Sequence, residues 1–458
     1  MFSKETYINR RAALKKTVGS GLLLFIGNDE AGCNYAGNTY PYRQDSTFLY
    51  FFGQPYAGLS AVIDIDEDRE IIFGDELTMD DIIWMGTQPT LKEKCSSAGI
   101  KKLMPSRAIM GYLKKGQQKG QMIHYLPSYR PEHKLKLWSW LDIHPGSEKP
   151  SLSFIMAVVN LRNYKSQEEV TEIEKACLVT AEMHLAAMRA IRPGIHEYEV
   201  VAAIEAAASS NNCSLSFPII ATVNGQTLHN HYHGNQVKDG DLFLVDSGAE
   251  TEMGYAGDMT STTPANHKFT TKQREIYMIQ SAMHDKSVLY LRPGITFESI
   301  YEISAMVMVK GLREIGLMKG DIAEAVREGA HALFYPHGLG HMMGLDVHDM
   351  ENLGEVYVGY DKRPKSKQFG RSALRLARAL EPGFVHTVEP GIYFIPELID
   401  KWKGSNKFAD FINYDKVETY KDFGGIRNEE DYLITEKGGR LLGKRIPRTV
   451  EEVEAFQD

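Results

Sequence analysis

Five residues in the second half of this chain are of the types that bind divalent metal ions, and each lies in a short, distinctive motif. They are Asp246 in LVDSG, Asp258 in YAGDMT, His341 in HGLGH, Glu389 in TVEPG and Glu429 in IRNEED. Carboxylates and one imidazole can hold a pair of metal ions, and such a pair can hold a bridging hydroxide that attacks an amide. Oxygen-rich ligation of this kind suits Mn²⁺, Co²⁺ or Fe²⁺ better than a thiolate-bound structural Zn²⁺. The motifs therefore predict a dinuclear metal-dependent hydrolase, provided that the five side chains converge.

The two aspartates bracket a glycine-rich segment that is typical of a strand–turn–strand hairpin. Asp246 follows an apolar run, residues 242–245, and Asp258 follows Ala256 and Gly257. Their even separation places both side chains on one face of a hairpin. The alternative is a pair of solvated acids near a turn. The apolar surroundings favour burial, and buried carboxylates need a cation or several hydrogen-bond donors.

Three histidines, His337, His341 and His348, lie in the segment FYPHGLGHMMGLDVHD. One of them could bind metal, and the others could handle protons or orient a substrate. We take His341 as the ligand, because the glycines on either side let the backbone approach a metal or a substrate closely.

One of the two glutamates follows an apolar segment. Glu389 ends the run FVHTV, and Glu429 precedes Glu430 and Asp431. The alternative for Glu429 is a charge run on a solvated face. Arg427, two residues earlier, would point the same way on a strand and could pair with the ligand acids.

The elements around these motifs repeat. Ser166 and Glu169 fit a helix capping box, and the following amphipathic helix ends at the tetrapeptide RPGI, residues 192–195. A second long helix begins near Thr271 and ends at another RPGI, residues 292–295.

The strands before two of the acids repeat as well. Gly240 precedes Asp246 by six residues, and Gly383 precedes Glu389 by six. Another glycine follows each acid by two residues. The repeats predict two related αβ halves that each contribute acids to one site.

Length and composition bound the remaining possibilities. A chain of 458 residues predicts two domains, which we place at 1–160 and 161–458. The first reads as an α/β domain with strands in GLLLFIGN, STFLYFFG and SAVIDID and a hairpin into REIIFG. A net charge of −8 argues against nucleic acid as a partner. Without a signal-like or membrane-spanning segment, a cytoplasmic enzyme with no membrane partner is expected.

Taken together, these motifs resemble those of the pita-bread metallopeptidases, specifically the Xaa-Pro peptidases aminopeptidase P and prolidase. The segment YPYRQDSTFLYFFG is similar to the creatinase-type N-terminal domain of those enzymes. The resemblance implies an α/β N-terminal domain followed by a pseudo-twofold α+β catalytic domain. It also implies hydrolysis of the Xaa-Pro bond at the N-terminus of peptides or in Xaa-Pro dipeptides. Another hydrolase, or a non-catalytic binding protein on the same fold, is the alternative.

The resemblance also implies roles for individual residues. Asp258 and Glu429 would bridge two metal ions, typically Mn²⁺ with Co²⁺ or Zn²⁺ possible. Asp246 would complete one site, and His341 and Glu389 the other. Glu389 would also transfer protons.

Further side chains would bind the substrate. The family's additional histidine matches His229 first and His231 second, and His337 and His348 match substrate-binding and proton-handling histidines. Arg375 lies where prolidases bind a substrate carboxylate, with a solvated helix charge as the alternative. Candidate walls for the proline ring are Phe217, Tyr255, His337 and Tyr393. Relatives of this kind are commonly homodimers or homotetramers.

Overall fold

The structure is a computed structural model that describes residues 1–456. The chain folds into two compact units. The first contains Met1–Arg162 and Met350–Tyr357, and the second contains Asn163–Asp349 and the chain from Val358 onward. In the described part of the chain, no helix combines the length and the apolar character that a bilayer crossing requires.

The first unit is built on a mixed five-stranded sheet. The strands of the whole unit are β1 (Leu22–Ile26), β2 (Gly32–Tyr35), β3 (Asn38–Thr39), β4 (Ser60–Asp64), β5 (Arg69–Phe73), β6 (Lys102–Met104) and β7 (Ile123–His124). Its helices are α1 (Lys4–Val18), α2 (Ser46–Phe52), α3 (Met79–Met85), α4 (Leu91–Ser97), α5 (Ile109–Gln118), α6 (Pro131–Leu141) and α7 (Leu152–Arg162). The sheet order is β6-β5-β4-β1-β7, and β2 and β3 form a separate ribbon. The predicted hairpin is β4–β5, which pair in antiparallel register.

One strand predicted for this unit is wrong. The segment STFLYFFG forms the helix α2. The Asp45 side chain accepts a hydrogen bond from the Phe48 N–H and caps the helix, and Gly53 ends it in a left-handed conformation. Aromatic residues favour strands in general, but here the cap and the burial of nearly the whole helix outweigh that preference.

The second unit carries the predicted motifs. Its helices are α8 (Gln167–Ala190), α9 (Glu197–Ser210), α10 (Thr271–Leu289), α11 (Phe297–Glu314), α12 (Ile322–Glu328), α14 (Pro396–Gly404), α15 (Tyr414–Val417) and α16 (Val450–Ala455), with α13 (Glu355–Val358) at the boundary between the units. Its strands are β8 (Ser214–Leu215), β9 (Ile220–Thr222), β10 (Leu242–Ser247), β11 (Ala249–Glu250), β12 (Met259–Pro264), β13 (Val385–Val388), β14 (Gly391–Tyr393), β15 (Gly425–Arg427), β16 (Glu430–Thr435) and β17 (Gly438–Leu441). The antiparallel sheets β12-β10-β9 and β13-β16-β17 each hold one of the two repeated strands.

The repeated tetrapeptides make the same backbone contacts in both halves. The Gly194 N–H donates to the Val237 carbonyl at 2.8 Å, and the Gly294 N–H donates to the Leu380 carbonyl at 2.8 Å. The acceptors lie three residues before Gly240 and Gly383, which both have positive φ. Each turn therefore fixes where the next strand begins. In one half that strand, β10, contains Asp246 near its end, and in the other half Glu389 directly follows the strand β13.

Candidate metal centre

The hairpin β10–β12 positions both predicted aspartates. Asp246 pairs with Thr260, and Asp258 lies two residues before Thr260, so the three side chains share one face of the hairpin. Asp246 is 9% exposed and Asp258 is 4% exposed. Since both are buried, the alternative of solvated acids at a turn is wrong.

His341 lies in an irregular segment that is bonded to β13. The Thr387 N–H donates to the His341 carbonyl at 3.0 Å, and the Glu389 N–H donates to the Leu339 carbonyl at 2.8 Å. A Cβ on Gly340 would lie 2.3 Å from the Thr387 carbonyl oxygen, so only glycine allows this approach. The His341 Nδ1–H donates to the Met342 carbonyl, which makes Nε2 the lone-pair nitrogen. That Nε2 lies 3.4 Å from Asp258 Oδ2 and 3.6 Å from Glu389 Oε1.

Glu429 lies between β15 and β16 and is held against the hairpin. Its N–H donates to the Thr260 carbonyl at 2.9 Å, and the Thr260 hydroxyl donates to Glu429 Oε2 at 2.6 Å. Glu429, Glu430 and Asp431 are each at most 3% exposed. The alternative of a charge run on a solvated face is therefore wrong.

These side chains form one acidic cluster. Asp258, His341 and Glu429 each offer a ligand atom, and the three atoms lie within 4.8 Å of one another. Burial raises the pKa of Asp258 well above its usual range, and the neighbouring carboxylates of Asp246 and Asp431 raise it further. Burial likewise raises the pKa of Glu429, together with the charges of Asp258 and Glu389. The cluster thus concentrates more negative charge than its own side chains neutralise.

The donor set fits a divalent metal ion. Oδ1 of Asp246 and Oδ1 of Asp258 are buried and have no hydrogen-bond partner among residues 1–456. Such oxygens are costly unless a cation or water satisfies them. The His341 lone pair and these oxygens make an oxygen-rich set with one imidazole, as the sequence predicts.

Arg427 connects the cluster to two further side chains. Its Nη2 donates to Asp246 Oδ2 at 2.6 Å, and its Nε donates to the Thr260 hydroxyl at 3.0 Å. Its Nη1 donates to the Tyr393 hydroxyl at 2.8 Å, which lies 2.8 Å from His337 Nε2. Burial lowers the pKa of His337 to about 4, so this imidazole is neutral near pH 7.

All eleven predicted site residues line one cavity of about 370 Å³ in the second unit. Besides the five acidic and imidazole candidates, these are His229, His231, His337, His348, Arg375 and Arg427. Arg375 is half-buried and lies outside any α-helix, so it is not a solvated helix charge. The ring centres of His341 and His348 lie 4.2 Å apart.

The predicted wall of the cavity needs correction. Phe217 and His337 line it, but Tyr255 does not, because its hydroxyl donates to buried Glu169 at 3.1 Å. Tyr393 contacts the site through its hydroxyl. Sequence reasoning missed the apolar lining residues Pro218, Ile220, Leu228 and Val347.

Sequence reasoning also missed two threonines that hold ligand candidates. Thr260 contacts Glu429 and Arg427, and the Thr387 hydroxyl lies 3.3 Å from Glu389 Oε1. Thr260 could have been found, because strand alternation places it on the same face as Asp258.

The sequence is similar to those of known proteins. The sequence matches metallopeptidase family M24 over residues 171–436 and the aminopeptidase P N-terminal domain over residues 7–124. It is 32% identical to the Xaa-Pro aminopeptidase of Escherichia coli (strain K12), over 99% of this chain and 98% of that protein. It is 30% identical to the Xaa-Pro dipeptidase of Mus musculus, over 90% of this chain and 84% of that protein.

A solved structure extends the likeness to the fold. Zn-substituted E. coli aminopeptidase P in complex with product is 30% identical and superposes with a TM-score of 0.82. The match covers 99% of this chain and 98% of that one. The predicted fold class, an α/β N-terminal domain followed by a catalytic domain of mixed α and β structure, is confirmed.

Proposed function

The chain belongs to metallopeptidase family M24 as an Xaa-Pro metallo-exopeptidase, and we propose that it acts with two divalent metal ions, Mn²⁺ by preference. Its substrates are peptides with proline at the second position, Xaa-Pro dipeptides included. Residues 161–458 form the catalytic domain and residues 1–160 the creatinase-type N-terminal domain. The observation that carries the proposal is the convergence of four buried or half-buried carboxylates and His341 on one cavity.

The residues that would hold the metal ions are Asp246, Asp258, His341, Glu389 and Glu429. Bound divalent ions would lower the pKa of a water molecule and polarise the scissile carbonyl. Thr260 and Arg427 keep two of the acids in place through the hydrogen bonds described above. The bridging roles of Asp258 and Glu429 agree with the proximity of their ligand atoms.

Glu389 is suited to transfer a proton. Burial raises its pKa, but His341, His337 and Arg427 oppose burial and leave that pKa below its usual value. The carboxylate is therefore ionised near pH 7 and can accept a proton before donating it to the leaving amine. Its Oε2 lies 3.8 Å from His337 Nδ1, and His337 is neutral.

The cavity wall is suited to a proline ring. A tertiary Xaa-Pro amide has no N–H and a fixed φ, so a specific pocket has to accept its ring. Phe217, Pro218, Ile220, Leu228 and Val347 supply apolar surface, and the volume of about 370 Å³ suits a short peptide. His229, His231 and His348 supply polar contacts that can orient the substrate carbonyl.

Arg375 favours activity on dipeptides in addition to longer peptides. It lies in the cavity wall, half-buried, where a guanidinium group can form paired hydrogen bonds with a carboxylate. A dipeptide places its C-terminal carboxylate one residue after the scissile bond, whereas a tripeptide places an amide there.

Mass-spectrometric product analysis tests the proposal. The Mn²⁺-loaded protein should release alanine from Ala-Pro and from Ala-Pro-Ala and leave Ala-Ala-Ala intact. Removal of metal with EDTA should stop both reactions, and added Mn²⁺ should restore them. Cleavage of Ala-Ala-Ala at a comparable rate would show that the enzyme is not specific for proline.

A further inference from the structure

A single buried carboxylate on α9 accepts hydrogen bonds from two separate chain segments. Glu197 is the first residue of α9 and is 0% exposed. Its Oε1 accepts from the Thr222 hydroxyl and from the Val223 N–H, both at 2.9 Å. Its Oε2 accepts from the Asn235 N–H at 3.2 Å and from Asn235 Nδ2 at 2.9 Å. Both carboxylate oxygens are thus fully occupied.

Those donors lie at the two ends of the loop 223–235 and, for Thr222, at the last residue of the strand before it. This loop carries His229 and His231, which line the cavity and are both solvent-exposed. The Thr222 hydroxyl, while donating to Glu197, accepts from the Asn224 N–H and from Asn230 Nδ2, both at 3.0 Å. Asn230 lies between the two histidines, so the network extends from Glu197 to the centre of the loop.

We propose that Glu197 is a positioning residue that holds the His229–His231 loop against the cavity. A carboxylate can accept all of these hydrogen bonds, because it has acceptor capacity on both oxygens and no donor. A glutamine would turn an NH₂ group toward N–H or O–H donors and leave at least one side of the loop unheld. The inference rests on the proposed function, since it concerns how histidines assigned to that cavity are placed.

The test combines kinetics with proteolysis. The substitution Glu197→Gln is made in the wild-type chain and in a chain that carries both His229→Ala and His231→Ala, and kcat/KM for Ala-Pro-Ala is measured with Mn²⁺. Glu197→Gln should lower kcat/KM at least about tenfold in the wild-type chain, because misplaced side chains lose their alignment. In the background without the two loop histidines it should change kcat/KM by less than about twofold, since the groups that Glu197 positions are already absent. Mn²⁺ affinity should not change, because the loop carries no ligand candidate.

Limited chymotrypsin digestion reads the loop without any need for activity. Tyr232 is 66% exposed within the loop, and cleavage there should be faster in Glu197→Gln. Glu205→Gln, an exposed acid on the same helix, is the matched control and should change neither measurement. Thr222→Val keeps the carboxylate and removes one donor, so it should change both measurements in the same direction. It replaces Glu197→Gln in the test if that variant folds poorly.

Two results would overturn the inference: an equal loss of kcat/KM in both backgrounds, or an unchanged rate of cleavage at Tyr232. A wild-type protein that cleaves no Xaa-Pro peptide would overturn the proposed function instead. In that case the digestion rates alone decide whether Glu197 holds the loop.

Discussion

At the scale of single residues, the site is a concentration of buried negative charge. Asp258 and Glu429 have raised pKa values because each is buried among other carboxylates, and the guanidinium of Arg427 contacts only Asp246 directly among the ligand candidates. Metal ions would replace this repulsion with coordination. Substitution of a ligand candidate should therefore weaken metal binding more than it lowers the free energy of unfolding.

Removing either proposed bridging carboxylate tests this statement. Asp258→Ala and Glu429→Ala should each abolish Xaa-Pro cleavage and lower the Mn²⁺ bound per chain, because a lost carboxylate position cannot be refilled. Mn²⁺ content is measured by elemental analysis after gel filtration. Glu436→Ala, an exposed acid on the turn after β16, should retain both properties. Turnover retained in either ligand variant would show that the bridging assignment is wrong.

The proposed contact between Arg375 and a substrate carboxylate predicts that its substitution affects dipeptides more than longer peptides. Arg375→Ala should lower kcat/KM about ten- to a hundredfold for Ala-Pro, the loss of one or two charge-assisted hydrogen bonds. Ala-Pro-Ala, which presents no carboxylate at that position, should lose much less. Arg371→Ala removes a nearby arginine that is ion-paired with Glu302 and lies outside the cavity lining. Equal losses for both substrates in Arg375→Ala would exclude the carboxylate contact.

Residue types and local spacing were sufficient to nominate the cluster. The apolar run before Asp246 and the even spacing to Asp258 already indicate a shared buried face. Contacts from distant segments could not be predicted in this way. The Tyr393–His337 hydrogen bond joins side chains 56 positions apart in the chain, and neither local sequence contains a signal for it.

At the scale of elements, the histidine segment depends on a buried ion pair. Lys165 Nζ lies 2.8 Å from Asp349 Oδ2, and each side chain is 1% exposed. Asp349 directly follows His348, and its N–H donates to the Met342 carbonyl at 2.9 Å. The pair thus fixes the end of the segment that carries His337, His341 and His348.

Breaking this ion pair should destabilise the folded protein. Lys165→Met or Asp349→Asn should each lower the free energy of unfolding by about 3–5 kcal/mol, because the remaining buried charge loses this ion-pair contact. The double variant should cost less than the sum of the two single variants. Urea unfolding measures all three. Lys444→Met, which breaks an exposed contact with Glu182, should cost at most about 1 kcal/mol, and a similarly small cost for Lys165→Met would refute the proposed role of the pair.

Sequence reasoning succeeded for elements with strong local signals. The capping box of Ser166 and Glu169 and the glycine turns of the two halves are present as predicted. It failed at residues 46–52, where seven residues rich in aromatics fit either a buried strand or a buried helix. The deciding contact, from Asp45 to the Phe48 N–H, comes from a residue just outside the apolar run.

At the scale of the whole molecule, several histidines are buried in their neutral form. Burial lowers the pKa of His133, His184, His331 and His386 to about 4. When a histidine has a lower pKa in the folded state than in the unfolded state, the folded protein has its full stability above the unfolded pKa, near 6.5. That stability is lost as the pH falls from there toward about 4, because the unfolded chain takes up protons first.

His331 allows a direct measurement of this effect. Its Nε2 lies 2.9 Å from the Tyr301 hydroxyl, and neither side chain lines the cavity. The wild-type protein should lose stability between pH 6.5 and about 4. His331→Gln should remove part of that loss, at most about 3 kcal/mol for a shift of this size. Unfolding free energies with identical pH dependence in both proteins would contradict the assignment.

We propose that the buried acidic cluster binds the two metal ions on which peptide cleavage depends. A titration of metal-free protein with Mn²⁺, with bound metal and alanine release from Ala-Pro-Ala followed in the same samples, tests this proposal. Activity should rise with metal occupancy and reach its maximum at two ions per chain. Protein that binds neither Mn²⁺ nor Co²⁺, or that reaches full activity without bound metal, would contradict it.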